Sequence, residues 1–238
     1  MAGHAFFNWS GGKDSALALF KAMYSNEYTI QCLLTNINRV YDRVPMHGVR
    51  RSLVEAQAAL IGLPLVTVDL PEEPSMQDYE MMLMDKVNAL KASGCSKAMF
   101  GDIFLEDLKN YRVQKLKEAD IECVFPLWKI DTTELIKEFI DKGFKAIVVC
   151  VNEQYLDKSF CGRMIDTSFV NDLPSTADVC GENGEFHSFV FDGPIFKQPV
   201  QFNKGDIVYK KYKAPKRVDD NDDCTADYGF YFCDLIPV

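Results

Sequence analysis

At 238 residues the chain exceeds the usual single-domain size, so one full domain with a smaller second one is the expected organisation. Hydrophobic residues at 47% and charged residues at 26% exclude long disorder. A formal charge of −9 disfavours a nucleic acid partner, and no apolar run reaches the roughly 18 residues of a membrane helix.

The start, Met1 to His4, lacks a basic stretch, and the apolar run after it is broken at Asn8 and Ser10, so no signal peptide is expected. The eight cysteines are scattered singly with no Cys-x-x-Cys pair, which predicts free thiols in a reducing cytoplasm.

In chain order, a strand is predicted over His4–Trp9, followed at once by Ser10-Gly11-Gly12-Lys13-Asp14-Ser15 and a helix over Lys13–Tyr24. Glycine lets the backbone approach an anion closely and adopt positive φ. A helix N-terminus presents unpaired N–H groups and its positive dipole end, and Ser10, Ser15 and Lys13 add donors. This is a phosphate cradle. It is not a Walker A loop, because Phe7 stands where the first glycine belongs and Asp14 follows Lys13.

A strand over Thr29–Thr35 and a helix over Gly48–Ile61, opened by His47, come next. Further strands at Pro64–Leu70, Lys97–Gly101, Ile121–Leu127 and Lys145–Val151 alternate with helices at Ser75–Ala92, Leu105–Ala119 and Thr132–Lys142. This rhythm predicts an α/β fold with a doubly wound parallel sheet of six strands over residues 1–151. From Asn152 on, Gly, Pro, Asn and Asp recur among short strand-like pieces such as Phe186–Phe191 and Ile207–Tyr212, which predicts a smaller C-terminal α+β domain over 152–238. The basic stretch from Lys210 to Arg217, followed by Asp219 to Asp223, is expected to be a solvated loop.

Asp14 and Asp102 both fall at carboxyl ends of strands, where open α/β sheets bind ligands, and are the candidate Mg²⁺ carboxylates. Asp102 serves equally well as a helix cap. His47 suits capping or proton transfer. Gly181-Glu182-Asn183-Gly184-Glu185 contains a strong hairpin signal, yet two glutamates and His187 crowd about that turn. His4 is expected to be structural.

Residues Ser10 to Ser15 meet the S-G-G-x-D-S signature in full and resemble the PP-loop (N-type) ATP pyrophosphatase superfamily. Met46-His47-Gly48, Gly101-Asp102-Ile103, Tyr111-Arg112, Pro126-Leu127-Trp128 and Gly181 to Phe186 together resemble the diphthine-ammonia ligase (diphthamide synthase) family over nearly the whole chain. The resemblance implies a HUP or Rossmann-like nucleotide fold that takes ATP with Mg²⁺, adenylates a carboxylate with loss of pyrophosphate, and lets ammonia displace AMP to form an amide. It implies nucleotide contacts at Ser10, Gly11, Gly12, Lys13, Asp14, Ser15, Gly101, Asp102 and Arg112, and catalytic roles for Lys13, His47, Glu182, Glu185 and His187. Free ammonia is the expected donor, because no segment is left over for a glutamine-hydrolysing domain with a Cys nucleophile. The acceptor is diphthine on an elongation factor or another carboxylate, and a homo-oligomer is compatible with this reading.

One departure stands out: His187-Ser188 follows Phe186 where diphthamide-making members carry Glu-Thr or similar. That is the pattern of a bacterial-type branch, whose organisms lack diphthamide. Two alternatives share the loop. A tRNA-modifying ligase would carry a basic accessory domain or Cys pairs, and a non-catalytic adenine-nucleotide sensor would bind without turnover.

Overall fold

The computed structural model describes residues 3–212 and 228–238. Five parallel strands, β1 (Gly3–Asn8), β2 (Tyr28–Asn38), β3 (Leu65–Leu70), β4 (Lys97–Met99) and β5 (Glu122–Val124), lie in the order β3-β2-β1-β4-β5. The helices between them are α1 (Lys13–Tyr24), α2 (Arg51–Ile61), α3 (Met76–Ala92) and α4 (Glu106–Lys117). Order reverses between β1 and β4, so their carboxyl ends open the crevice in which such sheets bind ligands. The expected α/β fold with a second, smaller unit is present.

A second sheet, entirely antiparallel, contains β6 (Lys145–Asn152), β7 (Phe186–Asp192), β8 (Phe202–Tyr212) and β9 (Tyr228–Pro237) in the order β7-β6-β9-β8. Helices α5 (Thr132–Asp141) and α6 (Thr167–Asp172) belong to the same half of the chain. Here the structure corrects the sequence reading: Lys145–Val151 is not a sixth parallel strand but pairs antiparallel with β7 and β9. Seven of its eight residues are buried, and such a run reads alike in either kind of sheet.

Local chemistry sets the element ends. Ser75 and Asp78 form a reciprocal capping box at the start of α3, and the Asp131 carboxylate accepts from the amides of Thr133 and Glu134 at the start of α5. Gly62, at φ 87°, closes α2 in the left-handed region.

The two faces of the parallel sheet bury different cores. On one, Phe6, Leu34, Val68, Val87, Phe100 and Leu116 join the sheet to α3 and α4. On the other, Phe7, Leu33 and Ile37 continue through α1, α2 and α5 into Val148, Val151, Phe186 and Phe189 of the second sheet. The two sheets therefore share one core. Each such side chain contributes roughly 1.5–3 kcal/mol when fully buried, which fixes the second sheet against α1. The ion pairs of Arg43 and Arg50 with Asp234 tie the β2–α2 loop to β9.

The seven described cysteines are free, as expected; Cys224 and residues 213–223, with most of the basic and acidic stretch, lie outside the described residues. Lys210, Lys211 and Tyr212 end β8 instead of lying in a loop. No described helix is long and apolar enough to cross a membrane.

Candidate active site

A cavity of about 790 Å³ opens at the carboxyl ends of β1 and β4 and is walled on one side by the start of β7. Its floor is the 10–15 loop. Gly11, at φ 80°, needs the left-handed freedom of glycine, and a Cβ there would sit 2.7 Å from Gln57 Oε1. Gly12 precedes α1 with no side-chain cap of its own, and a Cβ on it would meet His47 Cε1 at 2.8 Å. The Ser188 hydroxyl, from β7, accepts from the Lys13 amide at 3.1 Å instead. Ser10 Oγ accepts from the Gly12 amide, and Ser15 Oγ donates to the Gly12 carbonyl at 2.9 Å. The hydroxyls thus hold the loop open from both ends.

Gly101 is required for a different reason. A Cβ at that position would lie 2.9 Å from the Ser15 amide nitrogen and 3.0 Å from the Asp14 carbonyl carbon, and backbone cannot give way. The β4 end is thereby pressed onto the first turn of α1, and Asp102 follows directly. Asp102 Oδ2 lies 2.8 Å from Arg112 Nε, an ion pair whose alignment falls short of a hydrogen bond, so both atoms are buried without a hydrogen-bond partner among the described residues. The Arg112 guanidinium stacks 4.4 Å from the centre of the Phe100 ring.

Lys13 is 4% exposed, and its ammonium bonds both Asp14 oxygens at 2.7 and 2.8 Å and the Cys180 carbonyl. Burial works against that charge, but Asp14 and neighbouring acidic groups outweigh it and hold the pKa above its usual value. Asp14 is pushed up by burial, against the pull of Lys13. Burial likewise raises Asp102, with Asp14 adding to the rise against Arg112. Glu182 is pushed up to about 7, first by burial and then by the charge of Asp14, although its Oε1 accepts from the Ile103 amide at 2.9 Å. Asp14, Asp102 and Glu182 thus face one cavity together with Lys13, Arg112 and Lys115, a site able to meet both phosphate and a cation that accompanies it.

Among the described residues no three of His, Cys, Asp and Glu converge closely enough to hold a metal ion unaided. Asp14 and the orphaned Asp102 oxygen fit the other arrangement, in which one or two carboxylates share an ion with phosphate oxygens.

The structure brings together Ser10, Gly12, Lys13, Asp14, Ser15, His47, Gly101, Asp102, Arg112, Glu182 and His187 around this cavity, with Gly11 in the same loop but packed behind it against Gln57. Glu185 stands apart from them. It is fully buried, with Oε1 accepting from the Asp178 amide at 2.8 Å and Oε2 from the Asn183 amide at 3.0 Å. Its carboxylate shapes the loop that carries Glu182 and does not line the cavity. His47 does not open α2 either, since α2 begins at Arg51 and His47 lies on the preceding tight turn. Its ring stacks on His187, centroids 4.7 Å apart.

Two family models match the chain, one described as diphthamide synthase N-terminal domain over residues 3–119 and one as diphthamide synthase C-terminal domain over 131–219. The chain belongs to the diphthamide synthase family. Among its relatives, the diphthine–ammonia ligase of Danio rerio is 23% identical, covering 93% of this chain and 91% of its own length. The human diphthine–ammonia ligase is 26% identical, covering 84% and 82%. That of Schizosaccharomyces pombe is 23% identical over 86% of this chain, but the alignment spans 38% of that longer protein. The family is one of ATP-dependent carbon–nitrogen ligases, and this chain is an enzyme of that class.

Two residues of this diphthamide synthase family site escaped the sequence reading. Gln57 is completely buried, accepts from Trp9 Nε1 at 2.9 Å and donates to the Gly11 and Val190 carbonyls. Its signal was available, as the one polar residue on the buried stripe Leu53, Val54, Gln57, Ala58 and Ile61. Ser188 is marked in the sequence only by the His187-Ser188 departure, and its capping role has no local signal because the amide it caps lies 175 residues away.

Proposed function

We propose that this protein binds ATP with its triphosphate over the 10–15 loop, splits it between the α- and β-phosphates, and makes an amide from a carboxylate and ammonia. An acceptor carboxylate oxygen attacks the α-phosphorus, the bond to the β-phosphate bridging oxygen breaks, and pyrophosphate leaves with the electron pair. Ammonia then attacks the acyl carbon, a C–N bond forms, and AMP departs with the C–O electrons. The observation that carries this reading is the loop itself: two glycines that tolerate no Cβ, a helix N-terminus without a side-chain cap of its own, and a buried Lys13 whose charge is kept.

Lys13 and the loop amides serve the leaving pyrophosphate, in a site where burial makes each donor count for more. A magnesium ion held by Asp14 and Asp102 together with phosphate oxygens would neutralise the triphosphate. Gly101 sets the approach of the nucleotide to α1, and Arg112 holds Asp102. We assign Glu182 to the amine side of the cavity, where a carboxyl near neutrality can bind ammonium or take its proton. Glu185 has a positioning role. We also set the division between the two units in the segment joining β5 to α5, because β6 completes the second sheet.

The relatives' names give diphthine as their acceptor, and we assign His187, beside His47 in the cavity lining, to the choice of acceptor. Incubation with Mg-ATP, ammonium and a diphthine-bearing elongation factor should yield AMP, pyrophosphate and diphthamide; ADP in place of AMP would sink the reading. Pyrophosphate–ATP exchange without rescue of a diphthine–ammonia ligase deletion would retain the chemistry and assign another carboxylate, as expected of a bacterial-type branch.

A further inference from the structure

His47 is delivered to the cavity by a turn that is costly to build. Met46, at φ 62°, and Gly48, at φ 68°, both occupy the left-handed region, and a Cβ on Gly48 would strike the Phe232 ring at 2.8 Å. For a side chain such as Met46 that conformation costs on the order of 1 kcal/mol, and strain of this kind collects at functional sites. Two short backbone bonds hold the turn closed, from the His47 amide to the Pro45 carbonyl at 2.7 Å and from the Gly48 amide to the Val44 carbonyl at 2.9 Å. Arg43 Nη1 also donates to the Gly48 carbonyl at 2.6 Å.

The same turn fixes the ring. Nδ1 lies 3.0 Å from the Ser188 carbonyl oxygen, which can only accept, so Nδ1 carries the proton and Nε2 keeps its lone pair. Among the described residues no hydrogen bond reaches Nε2, and neither nitrogen of His187 is engaged. The two rings and Glu182 all line the cavity.

We propose that His47 is the proton acceptor of the amide-forming step, presenting Nε2 to the nitrogen nucleophile while the Ser188 carbonyl and the His187 ring hold it in place. The proposal rests on the ligase reading above and adds the route of the proton. When ammonia attacks the acyl carbon, the nitrogen becomes a cationic –NH₃⁺ in the tetrahedral intermediate. One proton passes to Nε2, the C–O bond to AMP breaks, and a neutral amide and an imidazolium remain. His187 supplies a flat partner for the ring and is a positioning residue.

The charged groups about His47 decide whether it can do this. Burial lowers His47 to about 4, with the Lys13 charge from α1 adding to the fall and the Ser188 carbonyl opposing it, and the adjoining His187 from β7 is itself held well below its ordinary value, chiefly by burial. Glu182 and Asp14 line the same cavity. An adenylate anion brought beside the ring would add an opposite charge and raise its basicity at the step where a base is required, leaving the free enzyme with a neutral imidazole.

Two measurements test this. In ¹⁵N-labelled protein at pH 7 the ring signals of His47, assigned by their loss in His47→Asn, should show a protonated Nδ1 and a bare Nε2; the opposite tautomer would overturn the proposal. This outcome needs no acceptor, so it stands whether or not the ligase reading survives. The second compares ammonia with hydroxylamine as nucleophile, using a diphthine-bearing elongation factor as acceptor. Hydroxylamine is mostly unprotonated at neutral pH and gives a more acidic intermediate. The asparagine side chain of the His47→Asn variant can still donate to the Ser188 carbonyl but cannot accept the proton. In that variant the ratio of ammonia rate to hydroxylamine rate should fall about 100-fold. Equal losses with both nucleophiles would reduce His47 to a structural role, whereas a wild-type enzyme inert with both and lacking pyrophosphate exchange would refute the ligase reading and leave the tautomer test to decide this one.

Discussion

Two loops meet at the cavity, and they are built by opposite means. The 10–15 loop takes its course from glycines that admit no side chain, serines that bond within the loop and a helix that begins where the strand ends, with Gln57 and Ser188 bonding its backbone from outside. The 178–188 segment is folded on its own carboxylates, Asp178 and Glu185, which accept from its amides, and is then anchored by partners from elsewhere in the chain. Thr132 donates to Asp178, the Ile103 amide donates to Glu182, and Lys13 reaches across to the Cys180 carbonyl. A loop of the first kind is fixed by what its glycines exclude, and suits an invariant task such as holding phosphate. A loop of the second kind depends on how the two sheets are packed, and suits a task that differs between acceptors.

The sharpest way to break that contrast is at Lys13, the residue both loops share. Lys13→Ala removes the buried ammonium from a site that keeps Asp14, Asp102 and Glu182, so we expect loss of pyrophosphate–ATP exchange by at least about 10²–10³-fold. Nucleotide binding should weaken as well and the thermal midpoint should fall, because Asp14 loses its buried partner, while circular dichroism keeps the wild-type shape. Retention of exchange within tenfold of wild type would remove Lys13 from the chemistry.

Gly101 and Glu185 sharpen the contrast from each side. In Gly101→Ala the new methyl meets the backbone of Asp14 and Ser15 at about 3 Å and must push the first loop aside, so exchange should fall more than tenfold with only a modest loss of stability. In Glu185→Gln an acceptor oxygen becomes a donor facing the amides of Asp178 or Asn183. Hydrogen bonds to a charged acceptor are worth about 1.5–3 kcal/mol each, so we expect a loss of about 2–4 kcal/mol by urea titration. An unchanged urea midpoint with abolished catalysis would return Glu185 to the chemistry.

The same contrast explains what was legible in the sequence. The first loop, the five parallel strands and the four helices between them follow from local signals, and their observed bounds lie close to those predicted. Glu182 and Glu185 look alike in sequence, three residues apart about an Asn-Gly turn, and only the tertiary partners make one face the cavity and the other the loop interior. The sheet to which β6 belongs is not legible, because a run buried on both faces carries no periodicity to distinguish parallel from antiparallel pairing. Strand β9 has no counterpart among the predicted strands, and the turn carrying His47 resembles a helix start in sequence because a left-handed Met46 has no sequence signature.

The smallest effect, and the most specific to the second loop, is on the pH dependence of stability. Glu182 rises from the ordinary 4.5 to about 7 in the folded protein, chiefly through burial, so folding prefers its protonated form. That contribution is fully present below about pH 4.5 and is lost as pH rises toward 7. His47 falls from 6.5 to about 4 and His187 falls well below its ordinary value, both chiefly through burial, so folding prefers the neutral rings. Their contribution is present above pH 6.5 and is lost as pH falls. Between pH 4.5 and 6.5 the carboxyl and the imidazoles therefore oppose one another, and the wild-type slope is the difference between them. Glu182→Gln removes the carboxyl's side of that balance while its amide oxygen can still accept from Ile103. The variant should then lose stability on acidification more steeply than wild type, by about one proton's worth, at most about 1.4 kcal/mol per pH unit and less to the extent that solvent in the cavity screens the group. Urea midpoints of the two proteins at pH 4.5 and 6.5 measure the difference. Parallel lines would mean that Glu182 does not titrate in this window, and the amine side of the cavity would then need another acidic group.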